Sequence, residues 1–149
     1  MNFSIDGQNY GRPGAGQIPA EPVHAGRGMA LVMDDNESIR SVAEAMLQRM
    51  GYETLTAKDG AEALELMKAH PCKLVLLDLM IPGGMGGADT AQEIRKAYGN
   101  SVTILAISGH GDAQAIAEPH KYGFDAGISK PFTKADLIRG LGKAVRHHL

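Results

Sequence analysis

The sequence predicts one α/β domain: a parallel five-stranded sheet, doubly wound, with helices on both faces. Three observations predict it. From Met29 onward, short apolar runs alternate with helical patterns five times over. The first, third and fourth runs are nearly continuous in apolar residues, as strands covered on both faces should be. Polar residues that could do chemistry gather at the carboxyl ends of the runs, where open parallel sheets bind ligands.

The five runs are MALVM (29–33), YETLTA (52–57), KLVLLD (73–78), VTILAIS (102–108) and FDAGIS (124–129). After the first, Ile39, Val42, Ala43, Met46, Leu47 and Met50 recur at three- and four-residue steps, which predicts an amphipathic helix stopped by Gly51. AEALELMKA (61–69) predicts a second helix, ended before Pro71. GGADTAQEIRKAY (86–98) predicts a third. DAQAIAEPHKY (112–122) predicts a weaker fourth, short or kinked at Pro119 because proline removes a helix hydrogen bond. TKADLIRGLGKAVRHH (133–148) predicts a fifth, with Leu137, Leu141 and Val145 in line. The second run is more mixed and suits an edge strand.

Residues 1–28 differ from this domain, taken as 29–149. They are rich in Gly, Pro and polar residues without apolar period, so burial cannot offset their ordering entropy. They read as a flexible linker, tail or expression remnant.

The bulk composition narrows the function. The chain has 149 residues, 44% of them hydrophobic, with a formal net charge of -2. A nucleic-acid binder would usually carry a basic surplus. The single cysteine, Cys72, excludes an internal disulfide framework, lacks partners at metal-ligand spacing and reads as packing. No apolar run has the length of a membrane span and no signal peptide is visible, which makes the cytoplasm the default.

At the carboxyl ends of the runs stand Asp34 and Asp35, then Asp78, Ser108 and Lys130. The second run ends in an ordinary turn, AKDG. A spatial order 2-1-3-4-5 puts that second strand at the edge and gathers the others around one crevice. Three nearby acids raise one another's pKa. A hard divalent cation such as Mg²⁺, which binds oxygen ligands, removes the difficulty. Metal, ammonium and hydroxyl together suit an incoming phosphoryl group. Capping alone does not account for the pair, since Asn36 can cap the helix.

LVMDDNESIR, LVLLDLMIPGGMGG, ILAISGHG and GISKPF, in this order and spacing, resemble the receiver domain of two-component response regulators over about 29–148. The resemblance implies a flavodoxin-like (βα)5 fold. It implies that Asp78 is the phosphoacceptor, that Asp35 ligates Mg²⁺ directly and Asp34 mostly through water, and that the backbone carbonyl of Met80 completes the metal site. Ser108 would bond the phosphoryl group and Lys130 would pair with it, with Lys130–Pro131 as a cis peptide. The implied partners are a histidine kinase or histidine phosphotransfer protein upstream. Downstream, a protein would dock on the helix 4–strand 5–helix 5 face. Such a domain is not a conventional enzyme. The IPGGMGG loop, EPHKYGFDAGISKPF and the LVMDD start are most similar to receivers at the C-terminus of hybrid sensor histidine kinases.

Three departures bear on signalling. The loop after Asp78 is one residue longer than usual and glycine-rich, and is expected to be mobile. Gly127 stands where the family carries an aromatic switch residue. Pro119 interrupts the fourth helix. Two competing functions follow. One is a docking pseudo-receiver, kept open by Gly127. The other is an aspartyl-phosphate phosphatase or phosphotransferase of haloacid dehalogenase type, disfavoured because there the nucleophilic Asp comes first, in a DxD motif. His110, two beyond Ser108, lies near the expected phosphoryl position and reads as a solvated loop histidine or a modulator of phosphoryl lifetime. His147 and His148 read as a solvated helix end.

Overall fold

The computed structural model describes residues 26–109 and 113–148. His110 and most of the leader fall outside these residues, as do the side chains of His147 and His148. The strands are β1 (Met29–Met33), β2 (Glu53–Ala57), β3 (Leu74–Asp78), β4 (Thr103–Ser108) and β5 (Ala126–Ser129). The helices are α1 (Glu37–Arg49), α2 (Gly60–Ala69), α3 (Gly87–Tyr98), α4 (Ala113–Ala117) and α5 (Lys134–His148). All four strand pairings are parallel, in the order β2-β1-β3-β4-β5, the predicted 2-1-3-4-5.

Strand alternation sorts the core into two layers. Leu31, Met33, Val75, Leu77, Ile104 and Ala106 face one side, against Ala63 and Met67 of α2 and Ala91 and Ile94 of α3. Ala30, Val32, Leu74, Leu76, Leu105 and Ile107 face the other, against Ala43 and Leu47 of α1 and Leu137 and Ala144 of α5. β2 is the half-exposed edge its mixed sequence suggests.

Local chemistry sets the helix ends. Asn36 caps α1 by accepting from the Ile39 N–H at 3.1 Å. Gly51, at φ +100°, follows the last turn in a conformation that favours glycine. Asp59 caps α2 by accepting from the Glu62 N–H. Pro119 does break the fourth helix: α4 ends at Ala117 and a 3₁₀ turn, Pro119–Tyr122, follows.

Three expectations need correction. The fifth strand begins at Ala126, because Asp125 is committed to the preceding turn, where its carboxylate accepts from the Ile104 N–H at 2.8 Å. Val42 is 53% exposed and Val145 is 60% exposed. Both lie at the margin of an apolar stripe whose buried centres are Ala43 and Leu47 on α1, and Leu137 and Ala144 on α5. Cys72 is buried as expected, and burial pushes its thiol up to about 11.

Candidate functional site

Asp34 and Asp78 meet because of register. Met33 pairs with Leu77 on neighbouring parallel strands, so the next residues, Asp34 and Asp78, stand side by side. Both follow the alternation of Val32 and Leu76, on the α1/α5 side. Lys130 follows β5, where its N–H donates to Ser108 O at 2.7 Å. It precedes the cis Lys130–Pro131 bond.

The result is a compact charge cluster. Lys130 Nζ lies 2.8 Å from Asp34 Oδ2 and 3.0 Å from Asp78 Oδ2. Asp34 is fully buried and Asp78 nearly so, whereas Asp35 is exposed. One carboxylate oxygen from each of Asp34, Asp35 and Asp78 lies within 4.8 Å of the others. Oδ2 of Asp34 is buried and accepts no well-directed hydrogen bond; the charge of Lys130 is its partner.

One ammonium does not balance three carboxylates, and the ionisation behaviour shows it. Burial pushes Asp78 above the ordinary carboxylate value; Lys130 and the Met80 N–H pull it back and Asp34 raises it again, leaving it raised. Burial alone would lower Lys130, but hydrogen bonds and charge from Asp34 and Asp78 outweigh it and hold the ammonium above its usual value. Three oxygen donors and an excess of negative charge fit a hard divalent cation.

The other expected residues are close by. The Met80 N–H donates to Asp78 Oδ1 at 3.2 Å, and its side chain is exposed. Ser108 is buried at the end of β4, one residue past Ile107, the register partner of Asp78. By alternation it belongs to the opposite face from Asp78. Its hydroxyl donates to Gly109 O at 3.3 Å.

The glycine-rich loop has a packing reason. A Cβ on Gly86 would come 2.6 Å from Leu79 O, and one on Gly87 would come 2.8 Å from Asp78 O. The start of α3 therefore lies directly on the backbone of Asp78, and Gly84 N–H closes the turn onto Ile81 O at 3.0 Å. Gly127 serves the same purpose on β5: a Cβ there would meet Ile116 of α4 at 2.7 Å. The helix thus lies against bare strand backbone.

Two features were not foreseen. Arg40 of α1 donates to the Asp34 carbonyl at 2.8 Å. At the opposite end of the sheet, Arg95 and Asp125 form a buried pair at 2.9 Å. Each depends on a main-chain partner, which leaves no sequence pattern. Beside Lys130 runs a groove of about 470 Å³ lined by Ser38, Ile39, Val42, Gly109, Pro131 and Phe132.

The profile of the response regulator receiver domain matches residues 30–141. The chain is 39% identical over 107 residues to the uncharacterized transcriptional regulatory protein YrkP of Bacillus subtilis, covering 72% of this chain and 45% of that one. It is 35% identical over 111 residues to the CAI-1 autoinducer sensor kinase/phosphatase CqsS of Vibrio cholerae, covering 72% and 16%. The receiver domain of NtrX from Brucella abortus superposes with a TM-score of 0.71 at 31% identity, over 78% of this chain and 98% of that one. The chain spans about half the length of the first curated relatives it matches. Among the described residues no helix is long and apolar enough to cross a membrane.

Proposed function

The chain belongs to the response regulator receiver domain family, and from that premise we propose that it accepts a phosphoryl group on Asp78. The observation that carries this reading is the cluster of Asp34, Asp35 and Asp78 closed on one side by Lys130. An Asp78 oxygen attacks the phosphorus of a phosphohistidine. The P–N bond breaks, the imidazole leaves with its electron pair and takes up a proton, and an acyl phosphate remains. Lys130 stabilises the phosphoryl oxygens by charge, and the Ser108 hydroxyl would join it by turning away from Gly109 O. Asp34, Asp35, Asp78 and the Met80 carbonyl are the groups that would hold Mg²⁺, which supplies positive charge to the transferring group.

The upstream partner in this reading is a histidine kinase or histidine phosphotransfer protein. The apolar groove from Ile39 and Val42 to Phe132, beside Lys130, supports docking there. The likeness to CqsS supports the narrower reading of a hybrid-kinase type of receiver. The downstream face in this reading is α4–β5–α5. Membership of the receiver family sets aside the haloacid dehalogenase alternative.

The test uses acetyl phosphate or beryllofluoride with Mg²⁺, followed by mass spectrometry and NMR. A stable adduct that Asp78→Asn lacks is the expected result. A protein that takes no adduct under any condition would instead be a docking module, the reading that Gly127 favours.

A further inference from the structure

We propose that Arg40 is a positioning residue for the acid pair. It fixes the peptide between Asp34 and Asp35, and so the direction in which Asp35 is presented. The inference rests on reading Asp34, Asp35 and Asp78 as a cation and phosphoryl site.

The carbonyl that Arg40 holds belongs to the peptide bond joining the two acids. Every other polar group of Asp34 is also held. Its N–H donates to Ala57 O at 3.0 Å. Its Oδ1 accepts from the Asn36 N–H at 2.9 Å, and its Oδ2 meets Lys130 at 2.8 Å. These contacts fix the Asp34 side chain and its amide but not the plane of the next peptide. That plane turns with ψ at Asp34, which swings Asp35 while leaving the Asp34 side chain and N–H in place. The Arg40 contact is what opposes this rotation. A charged donor to a carbonyl is stronger than a neutral one. The guanidinium reaches back six residues from the first turn of α1, so it ties the loop to a rigid element.

Arg40 also stands out for what it does not do. Bound to the peptide between Asp34 and Asp35, it forms no ion pair among the described residues. Its contact there is with the backbone. If its role were only to add positive charge, removing it would tighten binding of a cation. If it positions Asp35, removing it weakens binding. The two roles have opposite signs.

The experiment is a Mg²⁺ titration of the full chain followed by NMR, with amide hydrogen exchange of the metal-free protein measured in parallel. Arg40→Ala should weaken Mg²⁺ binding about tenfold, the usual scale for losing a group that orients a metal ligand. It should also speed exchange of the Asp35 and Asn36 amides without metal. Arg40→Lys, which can still donate to the carbonyl, should restore most of both. Arg139→Ala removes the same charge from the exposed start of α5 and should change neither. Unchanged or tighter Mg²⁺ binding by folded Arg40→Ala overturns the proposal, as does unchanged amide exchange. Should Arg40→Ala not fold, Arg40→Gln and Arg40→Lys are compared, and equal values for the two overturn it. A wild-type protein that binds no Mg²⁺ refutes the cation-site reading instead, and the metal-free exchange data still decide the role of Arg40.

Discussion

The two ends of the sheet each bury charge, and they do it in opposite ways. At the amino end, one guanidinium meets one carboxylate, and the neighbours complete the bonding. Arg95 donates to Asp125 at 2.9 Å, to Gly123 O at 3.0 Å and to Val102 O at 2.7 Å. The same Asp125 oxygen accepts from the Ile104 N–H at 2.8 Å. At the carboxyl end, one ammonium faces three acids. The first arrangement ties α3 to the strand ends around it. The second is left with an excess of negative charge, which a cation can offset. Charge is therefore matched at one end of the sheet and left in excess at the other.

The largest effect should come from unmatching the amino end. Asp125→Ala leaves Arg95 without its carboxylate, and losing one partner of a buried pair costs about 3 kcal/mol. Urea unfolding should show this loss in the absence and presence of Mg²⁺ alike. A loss that disappears with Mg²⁺ would mean the two ends are not independent.

Next in size are the acids at the carboxyl end. Asp35→Asn should weaken Mg²⁺ binding about tenfold, the scale of losing metal-site order, and more than Asp34→Asn does. Equal losses in a calorimetric titration would show that exposed Asp35 and buried Asp34 share one role. Because Asp34 raises Asp78, Asp34→Asn should also shift the acid limb of the phosphorylation rate to lower pH.

A smaller effect concerns stability. The folded pKa of Asp78 lies above its ordinary value of 3.8. Between those two values the folded state holds a proton that the unfolded chain releases. Stability from this group therefore rises as pH falls through that window and is lost as pH rises through the folded value. Metal-free Asp78→Asn should accordingly melt higher than the wild type at neutral pH, with the difference shrinking as pH falls. Lys130 behaves differently: its folded pKa is above 10.5, so its contribution is complete below that value and fades at more alkaline pH. A wild type and Asp78→Asn that melt together at neutral pH, or whose difference fails to shrink as pH falls towards 3.8, would refute the contrast.

The smallest effect is expected at Gly127. Alanine there should cost about 1 kcal/mol through overpacking against Ile116. It should perturb NMR signals of α4 and leave those of α1 unchanged.

The sheet and the acid cluster were legible because each signal repeats or falls at a strand end. MALVM is a continuous apolar run and KLVLLD nearly so, Asp78 closes its strand, and Asp34 and Lys130 directly follow theirs. What escaped depends on backbone. Arg40 holds a carbonyl, Asp125 engages a strand amide, and Gly127 admits a helix. Carbonyls and amides are the same at every position, so a sequence cannot announce which one a side chain will find. The glycines after Asp78 suggested freedom, but Gly86 and Gly87 are also required by close approach.

The contact of Ile116 with Gly127 has a consequence for descent. A Cβ at position 127 would lie 2.7 Å from Ile116 Cδ1 and 3.1 Å from its Cα. A ring introduced there in one step requires Ile116 Cδ1 to turn aside and the backbone of α4 to give way. Substitutions at the two positions therefore have an order. Ile116 must shrink or α4 must withdraw before an aromatic residue can be accepted on the strand. Lineages that share this pairing are held on their own side of that sequence, whatever advantage lies on the other.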